Sequence, residues 1–325
     1  MQRNWRPLLR RHASSAPSAL MESMDNYLEH ISASPSLPPS IKALTTEIHP
    51  TAVVHKNARI GRGVQIGPYC VVGPDVHLHD SVVLKSHVVV EGVTTIGENT
   101  TLFPFGCIGG PPQDKKHRDG GGPSALVIGK DCLIREHVTI NCGTSSDDGM
   151  TRVGDACWIL AGVHIGHDCS VGNRVVISNN ACLAGHVTIG DLAIIGGQAG
   201  IKQFVNIGRL AMIGGMSAVD GDVLPYGLVV GNRAKLVGLN LVGLSRMQTL
   251  RPHRKEMLQM YRYIYNVPGN GYAPPLPLAP HMTLMERAIE ARQHSNDSAN
   301  PMLITMIDFV LESPARRRST LCAAL

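Results

Sequence analysis

Within the run His164-Ile165-Gly166-His167-Asp168, two imidazoles and a carboxylate lie close together in the chain. An imidazole titrates near neutrality, so it can take a proton from a hydroxyl, and an adjacent carboxylate can orient it. Proton abstraction is therefore the first chemistry this run suggests. His186, Lys202 and Gln203 lie further on, and they join the same site only if the fold brings them there.

The fold that would do so is written in aliphatic spacing. Ile48, Val54, Ile60, Ile66, Val72, Leu78, Leu84, Val90, Ile96, Leu102 and Ile108 fall every sixth residue. The series resumes at Ile128, Ile134 and Ile140, and again from Val153 through Ile159, Ile165 and Val171 to Val219. Helices repeat near 3.6 residues and ordinary strands alternate every second. A strict hexad fits a parallel β-helix, in which each flat side of a coil contributes one inward aliphatic residue. Four residues after each aliphatic, the side chain is small: Cys70, Val88, Thr100, Cys132, Cys157, Cys169, Ala181 and Ala193. Such residues suit a second inward slot in a narrow prism. Glycine recurs one residue after the aliphatic, as at Gly61, Gly97, Gly166 and Gly190, where it is expected to relieve corner dihedrals.

Three hexads make one coil, so residues 18 apart stack on one face, about 4.8 Å from coil to coil. On that basis Ile165, Leu183 and Ile201 stack, and His167, His186 and Lys202/Gln203 line one edge of the prism. The ring of His167 is expected to point outward. Two interruptions, between Ile108 and Ile128 and between Asn141 and Arg152, read as extruded loops near the face that begins at Ile165.

Composition agrees with a thin prism. Of 325 residues, 43% are hydrophobic and only 4% aromatic. No apolar run is long enough to span a bilayer. The eight cysteines include several in the small inward slot and form no CxxC pair, which reads as free thiols in a reducing compartment rather than a disulfide or metal framework. Residues 1–40 read as targeting sequence and linker: Arg3, Arg6, Arg10, Arg11 and His12 precede the first acid, Glu22, a pattern of mitochondrial transit peptides. The net charge of +5 owes much to this segment and is no nucleic-acid signal. The β-helix is assigned to residues 41–224. Residues 226–235 read as a connecting loop, within a C-terminal helical domain spanning 225–325. Helices are expected at Leu250–Asn266, Met282–Gln293 and Pro301–Glu312, with a loose tail around Arg316, Arg317 and Arg318.

Several stretches together carry a resemblance. They are His164-Ile-Gly-His-Asp-Cys169, Val171-Gly-Asn173, Asn179-Asn180, Leu183-Ala-Gly-His186, Ala193-Ile-Ile-Gly-Gly197, Gln203-Phe204, Pro225-Tyr226 and Gly231-Asn232. Over about residues 45–265 the chain resembles the UDP-N-acetylglucosamine O-acyltransferase family that begins lipid A synthesis, and Gln113-Asp114-Lys115-Lys116 resembles that family's substrate loop.

The resemblance implies an all-β left-handed parallel β-helix with an α-helical C-terminal domain, no cofactor, no metal, and a homotrimer with sites between prisms. It implies transfer of a 3-hydroxyacyl group from acyl carrier protein to the sugar 3-hydroxyl of UDP-N-acetylglucosamine. His167 matches the general base, with Asp168 beside it, and the N–H of Gly185 matches an oxyanion donor. Asp114, Lys116, His164, His186 and Gln203 match substrate contacts. Asn240 and Arg246 match residues near the nucleotide, and Gly215 matches the position that limits acyl-chain length. Lys202, Arg233, Met247 and the Asn141-Cys142 pair depart from the family pattern. A basic helix face at Arg251, His253, Arg254, Lys255 and Arg262 would suit an acidic carrier protein.

Other classes remain. The sister N-acyltransferase of the same pathway carries a uridine-binding domain before its β-helix, and few residues precede the first hexad here. A γ-carbonic-anhydrase-like zinc site would need its first two histidines five apart, whereas His164 and His167 are three apart. A non-catalytic β-helix subunit would not need His167, Asp168 and both loops.

Overall fold

The computed structural model describes residues 45–115, 122, 124–248, 250–268, 274–295, 300–312 and 321–324. The expected transit segment, Lys116 and the Arg316–Arg318 tail lie outside them. From Leu44 to Leu325 the chain forms one compact unit.

The hexads become three sheets of a parallel β-helix. Their strands are mostly two residues long, and the sheets hold 11, 9 and 8 strands. In the first sheet Ile48 pairs with Ile66, Ile66 with Leu84 and Leu84 with Leu102. In the second, Ile165 pairs with Leu183 and Leu183 with Ile201, as the 18-residue arithmetic requires. The aliphatics point inward and stack into a dry core: Leu78, Ile96, Ile134, Ile165 and Leu183 are fully buried. The small slot is equally closed, with Cys70, Val88, Thr100, Cys157, Cys169 and Ala181 inaccessible. All eight cysteines are free thiols, as the slot pattern implies.

The recurrent glycines have a different cause from the one expected. The left-handed dihedrals fall two residues later, mostly on non-glycine residues such as Tyr69 (φ 59°), His87 (58°), Asp168 (59°) and His186 (59°). The glycines instead permit coil-to-coil contact. A Cβ on Gly97 would lie 2.6 Å from the carbonyl carbon of Gly129, and one on Gly190 would lie 2.5 Å from the amide nitrogen of Arg209.

Both interruptions leave the second sheet and re-enter the third. One joins Cys107–Gly110 to Ala125–Ile128, and the other joins Thr139–Asn141 to Met150–Val153. The pairing offset grows to 32 residues between Cys107 and Thr139, and to 25 between Thr139 and His164. The strand register recovers after each. The two loops thus leave the prism at the edge that follows His164–Ile165, the edge inferred from the hexads.

The hexads end at Val219, but strand order does not. Gly227–Val230, inside the segment read as a connecting loop, adds a further parallel strand to the first sheet. Lys235–Leu239 then pairs with it antiparallel. Asn240 caps a short helix, α1 (Leu241–Arg246), that was not foreseen. A 3₁₀ turn at Arg251–His253 leads into α2 (Arg254–Ile264). Next come α3 (Leu284–His294), with Thr283 and Glu286 in a capping box, and α4 (Pro301–Glu312). The buried Arg287 of α3 donates from Nε to the Ile264 carbonyl at 2.8 Å, which ties α3 to the end of α2. Among the described residues no helix is long and apolar enough to cross a membrane.

Candidate active site

At the loop-bearing edge, successive coils present successive side chains. His167 and His186 meet edge to face with ring centroids 5.1 Å apart. His186 then stacks on Phe204 at 4.6 Å. The third rung is therefore the Phe204 ring, while Gln203 is half-buried beside it and Lys202 is exposed. Backbone bonds lock the ladder: the N–H of His186 donates to the His167 carbonyl at 2.9 Å, and that of Phe204 to the Gly185 carbonyl at 3.2 Å.

His167 stands outside the aliphatic core, as expected, yet it is only 6% exposed. The cause is Gly185 on the next coil. A Cβ there would lie 2.4 Å from Cε1 and 2.6 Å from Nε2 of the imidazole. The ring fills the space that the missing side chain leaves. Among the described residues the N–H of Gly185 has no acceptor, so it remains available as a donor beside the ring.

Asp168 fixes the ring from the other side. Its Oδ2 lies 2.8 Å from His167 Nδ1. A carboxylate there selects the tautomer protonated at Nδ1, so Nε2 keeps the lone pair that can accept a proton. The carboxylate is itself held by the second loop. Oδ1 accepts the backbone N–H of Thr144 at 2.6 Å, and Oδ2 accepts the Thr144 hydroxyl at 2.7 Å. The N–H of Asp168 donates to the hydroxyl of the fully buried Thr151 at 2.9 Å. Thr144, Thr151 and Asp147 carry no motif signal in the sequence; only their place in and beside an interruption distinguishes them.

His186 lies between two carboxylates. Its Nδ1 is 3.0 Å from Asp147 and its Nε2 is 3.5 Å from Asp168 Oδ2. His167, Asp168 and His186 bring ligand-type atoms close enough to consider a metal. The Asp168 oxygens already accept bonds from Thr144 and face His167, so the cluster is complete as a hydrogen-bond network. His164 points outward from its strand one residue before Ile165, half-buried, with Nδ1 2.8 Å from the Thr139 hydroxyl. Burial, and then the nearby His167, push its pKa below the usual imidazole value.

The remaining candidates separate. Asp114 is half-buried in the first loop, at the same edge. Gly215 lies at a different edge, after the first-sheet strand Met212–Ile213, where a Cβ would meet the Gly197 carbonyl at 3.3 Å. Asn240 is buried, with Nδ2 on the Leu210 carbonyl and Oδ1 on the Gly243 N–H, so its amide is committed to capping α1. Arg246 ends that helix. One prism therefore gathers His164, His167, Asp168, Gly185, His186 and Gln203, and leaves Gly215, Asn240 and Arg246 elsewhere.

Comparison with known proteins places this architecture. Residues 222–319 match a family profile described as UDP N-acetylglucosamine O-acyltransferase, domain 2. Residues 57–92 and 150–185 match one described as bacterial transferase hexapeptide (six repeats). An acyl-[acyl-carrier-protein]–UDP-N-acetylglucosamine O-acyltransferase from Agrobacterium fabrum is 47% identical over 227 residues, covering 70% of this chain and 83% of the relative. The Caulobacter vibrioides protein of the same name is 56% identical over 218 residues, 67% of this chain and 82% of its own. Among solved structures, the Arabidopsis UDP-N-acetylglucosamine acyltransferase superposes with a TM-score of 0.73 at 33% identity, over 85% of this chain and 99% of that one. Another UDP-N-acetylglucosamine acyltransferase gives 0.75 at 36% identity, over 86% and 100%.

Proposed function

The chain belongs to the acyl-[acyl-carrier-protein]–UDP-N-acetylglucosamine O-acyltransferase family, and on that premise we propose the reaction that its own residues perform. It moves an acyl group from acyl carrier protein to UDP-N-acetylglucosamine, the opening step of lipid A-type glycolipid synthesis. Nε2 of His167 takes the proton of the sugar 3-hydroxyl as that oxygen attacks the thioester carbonyl of a 3-hydroxyacyl chain. The Gly185 N–H stabilises the oxyanion. Collapse expels the carrier thiolate, which recovers the proton from His167. The observation that carries this reading is the 2.8 Å contact between His167 Nδ1 and Asp168, which leaves Nε2 as the basic atom. Incubation of the purified chain with UDP-N-acetylglucosamine and 3-hydroxyacyl carrier protein should yield an O-acylated sugar nucleotide by mass spectrometry. Absence of that product would overturn the assignment.

We further propose a homotrimer. Support comes from the division of candidate residues: the base stands at one edge, whereas Gly215 stands at another, and a neighbouring prism can bring such edges together. Light scattering should give three chain masses. Arg251 in the 3₁₀ turn and Arg254 and Lys255 at the start of α2 are all exposed, which supports docking of the acidic carrier protein there. For localisation we propose the mitochondrial matrix, supported by the arginines before Glu22. Residues 1–45 fused to a reporter should carry it into mitochondria, and a cytosolic reporter would defeat this.

A further inference from the structure

We propose that Thr144 is a positioning residue that sets the geometry of the base through Asp168; the inference rests on the reading of His167 as that base. Thr144 is 3% exposed, yet it makes no contribution to the aliphatic core. Both of its donors end on one carboxylate: the backbone N–H on Oδ1 at 2.6 Å and the hydroxyl on Oδ2 at 2.7 Å. The hydroxyl oxygen also lies 2.6 Å from Ser146 Oγ. The single proton of Thr144 Oγ1 goes to Asp168, so Ser146 must donate to Thr144. A directional chain results: Ser146 hydroxyl to Thr144 hydroxyl to Asp168 carboxylate, which faces the Nδ1–H of His167. Such chains polarise each successive bond.

This clamp answers a local difficulty. Asp168 holds a left-handed backbone at φ 59°, a conformation that side-chain-bearing residues adopt uncommonly. Its carboxylate is nearly inaccessible, 1% exposed, so water cannot replace a missing donor. Without the Thr144 hydroxyl, Oδ2 would be left with His167 at 2.8 Å and the more distant His186 Nε2 at 3.5 Å. The carboxylate could then rotate toward either imidazole. Thr144 fixes the carboxylate on His167. The second loop therefore does more than border the site, because its third residue, Thr144, orients the proposed catalytic pair.

The test is a double-mutant cycle between Thr144→Val and Asp168→Asn. Val keeps the shape and the backbone N–H and removes only the hydroxyl. Thr144→Val should lower kcat roughly 10- to 100-fold, the loss expected for a hydrogen bond to a charged group, with KM for both substrates within about twofold. Thr144→Ser should recover kcat to within about threefold. In the Asp168→Asn background, Thr144→Val should cost little more, because the two residues act as one unit. Additive losses, or a Ser variant as slow as Val, would overturn the proposal. If Val does not fold, Thr144→Ala takes its place in the same cycle. Full turnover in Thr144→Val with an inactive His167→Ala rejects the clamp and keeps the base; full turnover in His167→Ala rejects the base itself.

Discussion

The imidazole of His167 occupies the volume that a side chain at Gly185 would need: an added Cβ would stand 2.4 Å from its Cε1. Carbon atoms at that separation cannot coexist, so ring and glycine constrain each other across two coils.

Gly185→Ala should therefore displace the base. The corner can yield only by moving the ring from Asp168, and a shift near 1 Å can cost about 10²-fold in rate. The strand pairing of Leu183 with Ile165 and Ile201 lies on the other side of the corner and should survive. Steady-state kinetics and circular dichroism together check this: a fall in kcat with an unchanged spectrum is expected.

His167→Ala removes the proposed base. The ring stands outside the aliphatic core, so the melting temperature and oligomeric state should change little. Turnover should fall by about 10²–10⁴-fold. His186→Ala should lose less, because His186 faces Asp168 only at 3.5 Å. Equal losses in the two variants would contradict the division of roles.

His164 supplies a pH dependence whose sign is fixed by its environment. Burial lowers its pKa in the folded state, the proximity of His167 adds to this, and Thr139 holds the ring. The unfolded chain then binds the proton more readily than the folded one. Its contribution to stability is present above the unfolded value of about 6.5 and is lost as pH falls through the folded value. Melting temperatures between about pH 7.5 and pH 5.5 should decline less steeply for His164→Gln than for the wild type, and parallel curves would remove His164 from the account.

Arg254 and Lys255 open α2, where the helix dipole already presents positive charge, and Arg251 lies in the 3₁₀ turn just before it. Arg254 also donates to Ser245 Oγ at 2.6 Å. Reversing Arg254 and Lys255 to glutamate should raise KM for the acyl carrier substrate about tenfold at low ionic strength. KM for the sugar nucleotide should stay nearly constant. Equal effects on both would argue against docking there.

Much of this was legible in the chain because the β-helix converts sequence offset into spatial offset. Ile165, Leu183 and Ile201 could be stacked by counting, and His186 was placed beside His167 in the same way. Pro301 marked a helix start by local chemistry, whereas the Thr283–Glu286 box at the start of α3 emerged only with the structure. Other features escaped for physical reasons. The strand at Gly227–Val230 follows Pro225, after the hexad stops, and its place is set by the coil beneath it. The short helix at Leu241–Arg246 depends on Asn240, whose cap is visible only once the Leu210 carbonyl is beside it. Thr144 lies in an interruption, where no period says which side chains face inward. The burial of His167 arises from a missing atom on Gly185, a property of neither residue alone.

The two interruptions share one edge, and that placement governs how the protein can change. Neither pairing offset, 32 or 25, is double the regular 18. Each therefore adds less than about 0.6 kcal/mol of closure entropy. Loops at this edge can lengthen, shorten or exchange residues at almost no expense to the prism, because the register resumes on the far side. The rim is thus open to drift outside the Thr144 contacts with Asp168, while the stacked interior that carries it stays rigid. A lineage could therefore vary the length and composition of these segments and keep every coil beneath them intact.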